Sequence, residues 1–307
     1  MGKVPLGEQT LYIGIDGGGT KCRARIITDD QRVLGTGVGG PANPFHGVQQ
    51  TKDSIRTAAE LAAQEAGLSP ADMGRLIAGV GLAGVNVPSL YTVMNQWHHP
   101  FKQMFLTTDL HIACLGAHNR DEGAVMIAGT GSCGYSYVNE RALFLGGHGF
   151  PIGDKGSGAW LGLEAIKAIL LASDNLGPQT SLSDPIADLL QAKGVMIVDK
   201  LFGARSADYA RFAIYVMDAA DAGDEVAVRI VKDGAAYMSD VARRLWATQP
   251  GRMSIIGGLA PRLVPWMDAD IANRLSPALN QPEFGAVYFA RQAMKKMLSI
   301  EPVSSFS

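Results

Sequence analysis

Short apolar runs separated by glycines recur along the first part of the chain, and they predict β-strands. Runs at 12–15 and 23–28 flank three consecutive glycines, and a third run at 32–37 follows a polar turn. Apolar and β-branched runs of this length are typical of strands, and glycine-rich breaks between them are typical of hairpins. The pattern therefore predicts a three-stranded meander at the start of the chain.

The same pattern returns between residues 124 and 145, again as strand, glycine turn, strand, turn and strand. At one constant offset, the matched pairs are Ile15 with Ile127, Gly17 with Gly129, Gly19 with Gly131, and Thr20 with Ser132. An internal repeat of a supersecondary unit indicates duplication. We therefore predict two domains, at residues 1–112 and 113–307.

Elsewhere, apolar residues recur at helical spacing, which predicts helices. The predicted helices are 48–66, 87–98, 110–117, 159–172, 185–193, 207–222, 225–246 and 287–297, and the further strands are 76–82, 104–107 and 253–256. Strands that alternate with helices indicate the α/β class. Residues 301–307 are predicted to be a frayed tail.

Composition narrows the possible classes of protein. The 307 residues carry a formal net charge of −2, which does not favour nucleic acid or an anionic membrane as a partner. Three cysteines without a CxxC pair indicate a reducing compartment and argue against a zinc or iron–sulfur site. No signal-type or membrane-spanning apolar stretch is present, so we expect a cytoplasmic protein.

The first glycine turn, Asp16 to Lys21, is the strongest candidate for a ligand site. Bare backbone amides at a tight turn suit phosphate oxygens, and the Asp16 carboxylate suits Mg²⁺ held through its water shell. The order Thr20-Lys21 and the strand that follows exclude a P-loop. The alternative is a hairpin whose glycines serve only the turn geometry.

Two later glycine turns are also candidates for nucleotide binding. Residues 129–134 fit the pattern GxGxxG, but a predicted strand follows where the dinucleotide fingerprint requires a helix, which excludes a Rossmann site. Gly257-Gly258 follows the last predicted strand, where bare backbone allows a flat ring such as adenine to approach. The alternative there is an ordinary helix N-terminus with Pro261 in its first turn.

Three polar residues have both a structural and a functional interpretation. Asp109 ends a strand and starts a helix, so it is either an N-cap, which position alone favours, or a general base. Asn43, between two prolines, either forms a turn or offers its amide to a polyol. Asp154, among the glycines of 150–158, is either a loop carboxylate or a ligand contact.

As a set, these features resemble the sugar kinase, heat-shock protein and actin superfamily. Residues 13–26 and 126–132 look like its two phosphate motifs, and residues 255–261 look like its adenosine motif. Within it, the chain is similar to the N-acetylglucosamine and glucosamine kinases of the BadF/BadG/BcrA/BcrD ATPase group. The resemblance implies two ribonuclease H-like (actin-like ATPase) domains with a cleft between them, and ATP and Mg²⁺ as cofactors.

The resemblance also implies roles for individual residues. The implied reaction is ATP-dependent phosphorylation of the 6-hydroxyl of N-acetylglucosamine, with glucosamine as the alternative acceptor and Asp109 as the base. The ATP phosphates would be bound by Asp16, Gly17, Gly18, Gly19, Thr20, Lys21, Gly129, Thr130, Gly131 and Ser132, and adenosine by Gly257, Gly258 and Ala260. The sugar would be bound by Asn43, Asp109, His148 and Asp154. Mg²⁺ would be held by Asp16 through water.

Two residues depart from the family pattern. Lys155 stands where the family has Glu, and His148 stands where the animal kinases have Trp, so recognition of the sugar's 2-substituent is left open. A sugar sensor is disfavoured because no DNA-binding segment precedes residue 11. An ATPase of the dehydratase-activator type is also disfavoured, because the cysteines that hold its iron–sulfur cluster are absent. Family members are often dimers, so the resemblance implies a homodimer.

Overall fold

The computed structural model describes residues 10–300, so the predicted tail at 301–307 lies outside the described residues. The strands are β1 Leu11–Gly17, β2 Cys22–Thr28, β3 Val33–Gly39, β4 Ile77–Leu82, β5 Gln103–Thr108, β6 Gly123–Ala128, β7 Ser132–Val138, β8 Arg141–Gly146 and β9 Met253–Ile256. The α-helices are α1 Val48–Glu65, α2 Pro88–Asn95, α3 Asp109–His118, α4 Gly158–Ser173, α5 Ser183–Leu190, α6 Met196–Lys200, α7 Ser206–Ala210, α8 Ala213–Asp221, α9 Glu225–Trp246, α10 Ala260–Leu263, α11 Ala269–Ala272 and α12 Pro282–Ile300.

The chain divides into two compact units. Unit 1 is Met1–Gly123 with Ala278–Ser307, and unit 2 is Ala124–Pro277. The predicted division, 1–112 and 113–307, differs because the end of the chain returns to unit 1. The reason is α12, whose Val287 and Ala290 pack against Tyr12 and other apolar residues of the unit 1 sheet. Nothing in the local pattern of α12 indicates which sheet it covers.

Unit 1 is built on a five-stranded sheet in the order β3-β2-β1-β4-β5. The first three strands form the predicted antiparallel meander, while β4 runs parallel to β1 and β5 parallel to β4. The carboxyl ends of β1, β4 and β5 therefore share one edge, which is where open α/β sheets bind ligands. The first glycine turn and Asp109 both lie at this edge.

The two faces of this sheet are covered by different helices. Ile13 and Ile15 join the core beneath α1, whereas Tyr12 joins the cluster beneath α12. Because side chains alternate along a strand, Gly14 and Asp16 share the α12 face with Tyr12. A Cβ added at Gly14 would lie 1.9 Å from the carbonyl oxygen of Glu283, so only glycine allows α12 to approach β1 this closely.

Unit 2 repeats the meander in a four-stranded sheet of order β8-β7-β6-β9. Its core joins Met126 and Ala128 to apolar residues of the helices around them. The predicted helix 207–222 is wrong in one respect, because it is broken into α7 and α8. The break follows from tertiary packing: α7 lies so close to α4 that a Cβ at Gly162 would be 2.0 Å from the Tyr209 carbonyl oxygen.

Element boundaries differ elsewhere by a few residues. The largest difference is at α12, which begins at Pro282 rather than at the predicted residue 287. None of the helices within residues 10–300 combines the length and the apolar character that crossing a bilayer requires.

Candidate active site

The first glycine turn is held in place by backbone hydrogen bonds at the sheet edge. Gly18 N donates to the Lys21 carbonyl over 3.0 Å, and Ala83 N donates to the Gly17 carbonyl over 2.9 Å. Gly19, Thr20 and Lys21 are exposed. Within residues 10–300, the backbone N–H groups of Gly19 and Thr20 donate to no other group. The turn therefore presents amide donors, a hydroxyl and an ammonium group to solvent, as phosphate binding requires.

Asp16, at the end of β1, lies in an unusual electrostatic environment. Its pKa is raised to about 7, first because burial removes water from the carboxylate, and then because Glu283 and Asp109 add negative charge nearby. Arg23, opposite Asp16 in the β1–β2 register, and Lys21 partly offset this rise in the pKa. The site thus has an excess of carboxylate groups that a cation would relieve.

Asp109 follows β5 as the first residue of α3. The interpretation of Asp109 as the N-cap is wrong, because Thr108 is the cap and its Oγ1 accepts a hydrogen bond from His111 N. Asp109 Oδ1 accepts instead from Leu110 N over 2.9 Å. Burial raises the Asp109 pKa to about 6, against the lowering effect of that N–H. A carboxyl with this pKa is well matched to general-base chemistry near neutral pH.

Asn43 forms the turn that its position predicted. Its Oδ1 accepts a hydrogen bond from Phe45 N over 3.0 Å, which closes a local turn over Pro44. A Cβ at Gly84 would come within 2.5 Å of this Oδ1, so the loop is packed against the end of β4. Within residues 10–300, the Asn43 side-chain NH₂ has no hydrogen-bond acceptor. Asn43 can therefore be a turn residue and still donate to a ligand.

In unit 2, the second glycine turn rests on the start of α4. Gly158 N donates to the Gly129 carbonyl over 2.8 Å, and Ala159 N donates to the Thr130 carbonyl over 3.2 Å. Ser132 is buried, and its hydroxyl donates to the Lys155 carbonyl over 2.7 Å. Ser132 thus fixes the turn to the following loop. Thr130 is the exposed hydroxyl of this turn.

The loop that carries Asp154 adjoins this turn directly. A Cβ at Gly131 would be 2.9 Å from Asp154 Oδ2, and Asp154 itself has a positive φ of 62°. Burial raises the Asp154 pKa, whereas the Gly149 N–H and His148 lower it. His148 is exposed. Unit 2 therefore brings its predicted phosphate turn together with both of its predicted sugar-binding residues.

Lys155, which departs from the family pattern, is directed toward α9. Its Nζ lies 2.7 Å from Asp233 Oδ1 and 5.6 Å from the centre of the Trp160 ring. The Lys155 ammonium group therefore has an anionic partner and an aromatic partner within unit 2. The positive charge of Lys155 is therefore matched by a carboxylate 78 residues further along the chain.

The predicted adenosine motif lies beside the end of β6. Gly257 has φ 114°, and a Cβ there would be 2.3 Å from the Ala128 carbonyl, which also accepts from Leu259 N. Gly258 is exposed, with open space where a side chain would be. Ala260 is buried in the core of unit 2. The bare surface of this motif therefore comes from the two glycines.

Sequence reasoning missed Arg23 and Glu283, the charged neighbours of Asp16. The predicted hairpin would have placed Arg23 on the same face of the sheet as Asp16, because the two residues lie directly opposite each other in the β1–β2 pair. For Glu283, the available signal was the order Pro282-Glu283. Proline at the first helical position and an acid in the first turn are typical of a helix start.

The acidic groups of unit 1 fit a magnesium ion that keeps part of its water shell. Within residues 10–300, no group of three His, Cys, Asp or Glu side chains is arranged to hold a metal by itself. Mg²⁺ usually binds one or two carboxylates, waters and substrate phosphates rather than a complete protein cage. Asp16 supplies a hard oxygen ligand in a region of excess negative charge, so the residues fit this ion.

Comparison with known proteins identifies the family. Residues 13–287 match the BadF/BadG/BcrA/BcrD ATPase family. The chain belongs to this family. The predicted fold class is confirmed, because both units are mixed α/β and the crystal structure of a candidate N-acetylglucosamine kinase from Chromobacterium violaceum matches with a TM-score of 0.86. That match has 28% identity and covers 92% of this chain and 99% of the other.

Two relatives in this family have been named for their activity. Glucosamine kinase GspK of Vibrio cholerae is 36% identical over 279 residues, which is 91% of this chain and 95% of the relative. An N-acetylmuramic acid/N-acetylglucosamine kinase of Clostridium acetobutylicum is 32% identical over 232 residues, which is 73% of this chain and 75% of the relative.

Proposed function

We propose that this family member is an ATP-dependent kinase that phosphorylates the 6-hydroxyl of N-acetylglucosamine. The observation that carries the proposal is the Asp109 carboxylate, which stands at the ligand-binding edge of the unit 1 sheet with its pKa raised to about 6. The proposal includes a homodimer, which the resemblance supports, and a cytoplasmic location, which the cysteine pattern supports.

Phosphoryl transfer depends mainly on positioning and on neutralisation of charge. Asp109 accepts the proton of the sugar hydroxyl as the phosphoryl group arrives. The amides of Gly19 and Thr20 in unit 1, and the turn around Thr130 in unit 2, bind phosphate oxygens. Gly257 and Gly258 leave space for the adenine ring. Asp16 would hold Mg²⁺ through water, and the ion would there supply positive charge to the phosphates.

The sugar contacts proposed are Asn43, Asp109, His148 and Asp154. The Asn43 NH₂ donates to a sugar hydroxyl, and the Asp154 carboxylate accepts from one. No sugar contact is assigned to Lys155, whose ammonium group pairs with Asp233 and lies 5.6 Å from the centre of the Trp160 ring. N-acetylglucosamine is supported as the acceptor by the names of the Chromobacterium and Clostridium proteins.

Glucosamine is the second candidate, favoured by the Vibrio relative at 36% identity. The deciding experiment measures ATP-dependent turnover on N-acetylglucosamine and glucosamine side by side, with glucose as the control. We expect kcat/KM to be highest for N-acetylglucosamine. A preference for glucosamine would transfer the assignment to the second candidate, and no turnover on any of the three sugars would reject an amino-sugar kinase.

The pH dependence of turnover tests the role of Asp109 separately. A base acts only when deprotonated, and burial raises the Asp109 pKa to about 6. The value of kcat/KM is therefore expected to fall about tenfold for each pH unit below 6 and to level off above it. A rate that stays constant down to pH 4.5, with the protein still folded, would contradict this assignment.

A further inference from the structure

Glu283 has a buried carboxylate for which the proposed mechanism gives no role. The residue is only 2% exposed, and within residues 10–300 its Oε2 has no hydrogen-bond partner. Removing a carboxylate from water without a partner is costly, so buried carboxylates are normally paired or bound to a cation. The environment of Glu283 is therefore incomplete in the protein alone.

The position of Glu283 places it beside the phosphate site of unit 1. Its backbone lies against Gly14 of β1, and Asp16 is two residues further along the same face of the strand. Two strand residues span about 7 Å, which a glutamate side chain and one water molecule can bridge. Among the neighbouring charged groups, Glu283 has the largest effect on the pKa of the Asp16 carboxyl, which it raises. The two carboxylates therefore add negative charge to the same place, the end of β1 on the α12 face of the sheet.

The nearby arginines do not neutralise Glu283 by direct contact. Glu283, Arg23 and Arg25 line a cavity of about 530 Å³ on this face of the sheet. Among the ion pairs of residues 10–300, none joins Glu283 to either arginine, and Arg25 instead lies over the Phe284 ring at 5.0 Å. Space for water and an unpaired carboxylate oxygen thus occur together.

We propose that Glu283 is a positioning residue of the magnesium site, where it accepts hydrogen bonds from the water shell through which Asp16 holds Mg²⁺. The inference rests on the proposed function, because that function requires a metal–nucleotide complex. Waters bound to Mg²⁺ are strong donors, and a carboxylate oxygen without a donor is their natural acceptor. Glu283 thus acts on the ion through water and never touches the substrate.

The test separates metal binding from folding and from nucleotide binding. Glu283→Gln keeps the shape of the side chain but removes its charge, and Glu60→Gln removes an exposed charge from α1 on the opposite face. Mn²⁺ serves as the probe and is titrated by electron paramagnetic resonance in the presence of ADP. Calorimetry measures ADP binding without metal. Loss of an outer-shell partner typically weakens metal affinity by 10–100-fold.

We expect Glu283→Gln to weaken Mn²⁺ binding about tenfold, with metal-free ADP affinity within about twofold of wild type. Glu60→Gln is expected to match wild type in both assays. Unchanged Mn²⁺ affinity, or an equal loss of metal-free ADP binding, would overturn the inference. If Glu283→Gln unfolds, Glu283→Asp replaces it in the test, because aspartate keeps the charge on a shorter side chain. Loss of Mn²⁺ binding by Glu283→Asp without loss of ADP binding supports the proposal. Unchanged Mn²⁺ binding by this variant overturns it. A wild-type protein that binds no ADP at all would overturn the proposed function itself.

Discussion

Asp109→Asn is expected to lower kcat by about 10³-fold, within the range of 10²–10⁴ that general-base catalysis provides. The carboxamide has nearly the same shape as the carboxylate, so the Leu110 N–H keeps an acceptor and α3 keeps its Thr108 cap. Under the proposed mechanism, what is lost is the group that accepts the proton of the sugar hydroxyl. Steady-state kinetics on the best sugar, with the KM for ATP measured in parallel, test this expectation.

Asp53→Asn is a suitable control, because it removes an exposed carboxylate from α1 of the same unit. We expect Asp53→Asn to keep wild-type turnover. Turnover of Asp109→Asn close to wild type would show that another group is the base.

Stability gives a second readout of the same substitution. The Asp109 pKa is about 6 in the folded protein, above the ordinary value of 3.8. The folded state therefore favours the protonated Asp109 carboxyl. The stability that this gives is fully present below about pH 4 and is lost as the pH rises through 6. Because Asn cannot ionise, Asp109→Asn is expected to be the more stable protein at pH 8, by about 3 kcal/mol for this shift of roughly two units. Urea unfolding of both proteins at pH 5 and pH 8 measures the difference.

The elements that sequence reasoning predicted best are those determined by local pattern. The strand Met253–Ile256 and the helix Glu225–Trp246 have the predicted bounds, because each has strong periodicity and clear ends. Ser157 caps α4, since its hydroxyl accepts a hydrogen bond from Trp160 N. Both glycine turns were also visible in the sequence, because each interrupts two strand-like apolar runs with at least three glycines.

The features that were missed depend on tertiary contacts. The position of α12 on unit 1 follows from its fit against Gly14 and Gly79, a fit made between residues far apart in sequence. The separate helices α7 and α8 and the ion pair from Lys155 to Asp233 have the same kind of origin. For Asp109, the missed detail was one residue of register, because α3 begins at Asp109 and the residue before it, Thr108, is the cap.

The departure at Lys155 has a bearing on specificity. The family's Glu would place a negative charge beside Asp154, whereas here the loop carries a cation whose charge is matched by Asp233. Asp154 is therefore the one carboxylate that this loop, 150–158, can offer to a sugar. Under the proposed sugar contacts, the contrast between an acetamido group and an ammonium group would depend on Asp154 and His148, so the comparison of the two sugars also tests this loop.

Gly14→Ala is expected to destabilise the protein strongly, because it separates α12 from β1. The added Cβ would lie 1.9 Å from the Glu283 carbonyl oxygen and 3.0 Å from Val287 Cγ2. The first contact is with backbone, so no rotamer change relieves it, and either the helix or the strand must move. We expect a loss of about 3 kcal/mol in the free energy of unfolding, at the upper end of what overpacking usually costs.

Gly74→Ala provides the matched control, because that glycine is exposed and no heavy atom lies within 4 Å of its added Cβ. The control is expected to change stability by less than about 1 kcal/mol, as surface substitutions usually do. Urea midpoints at pH 7 measure both variants. Wild-type stability of Gly14→Ala would mean that α12 does not rest on β1 as described. A loss of stability accompanied by weaker Mn²⁺ binding would instead connect the position of α12 to the metal site, because movement of the helix also moves the Glu283 carboxylate away from Asp16.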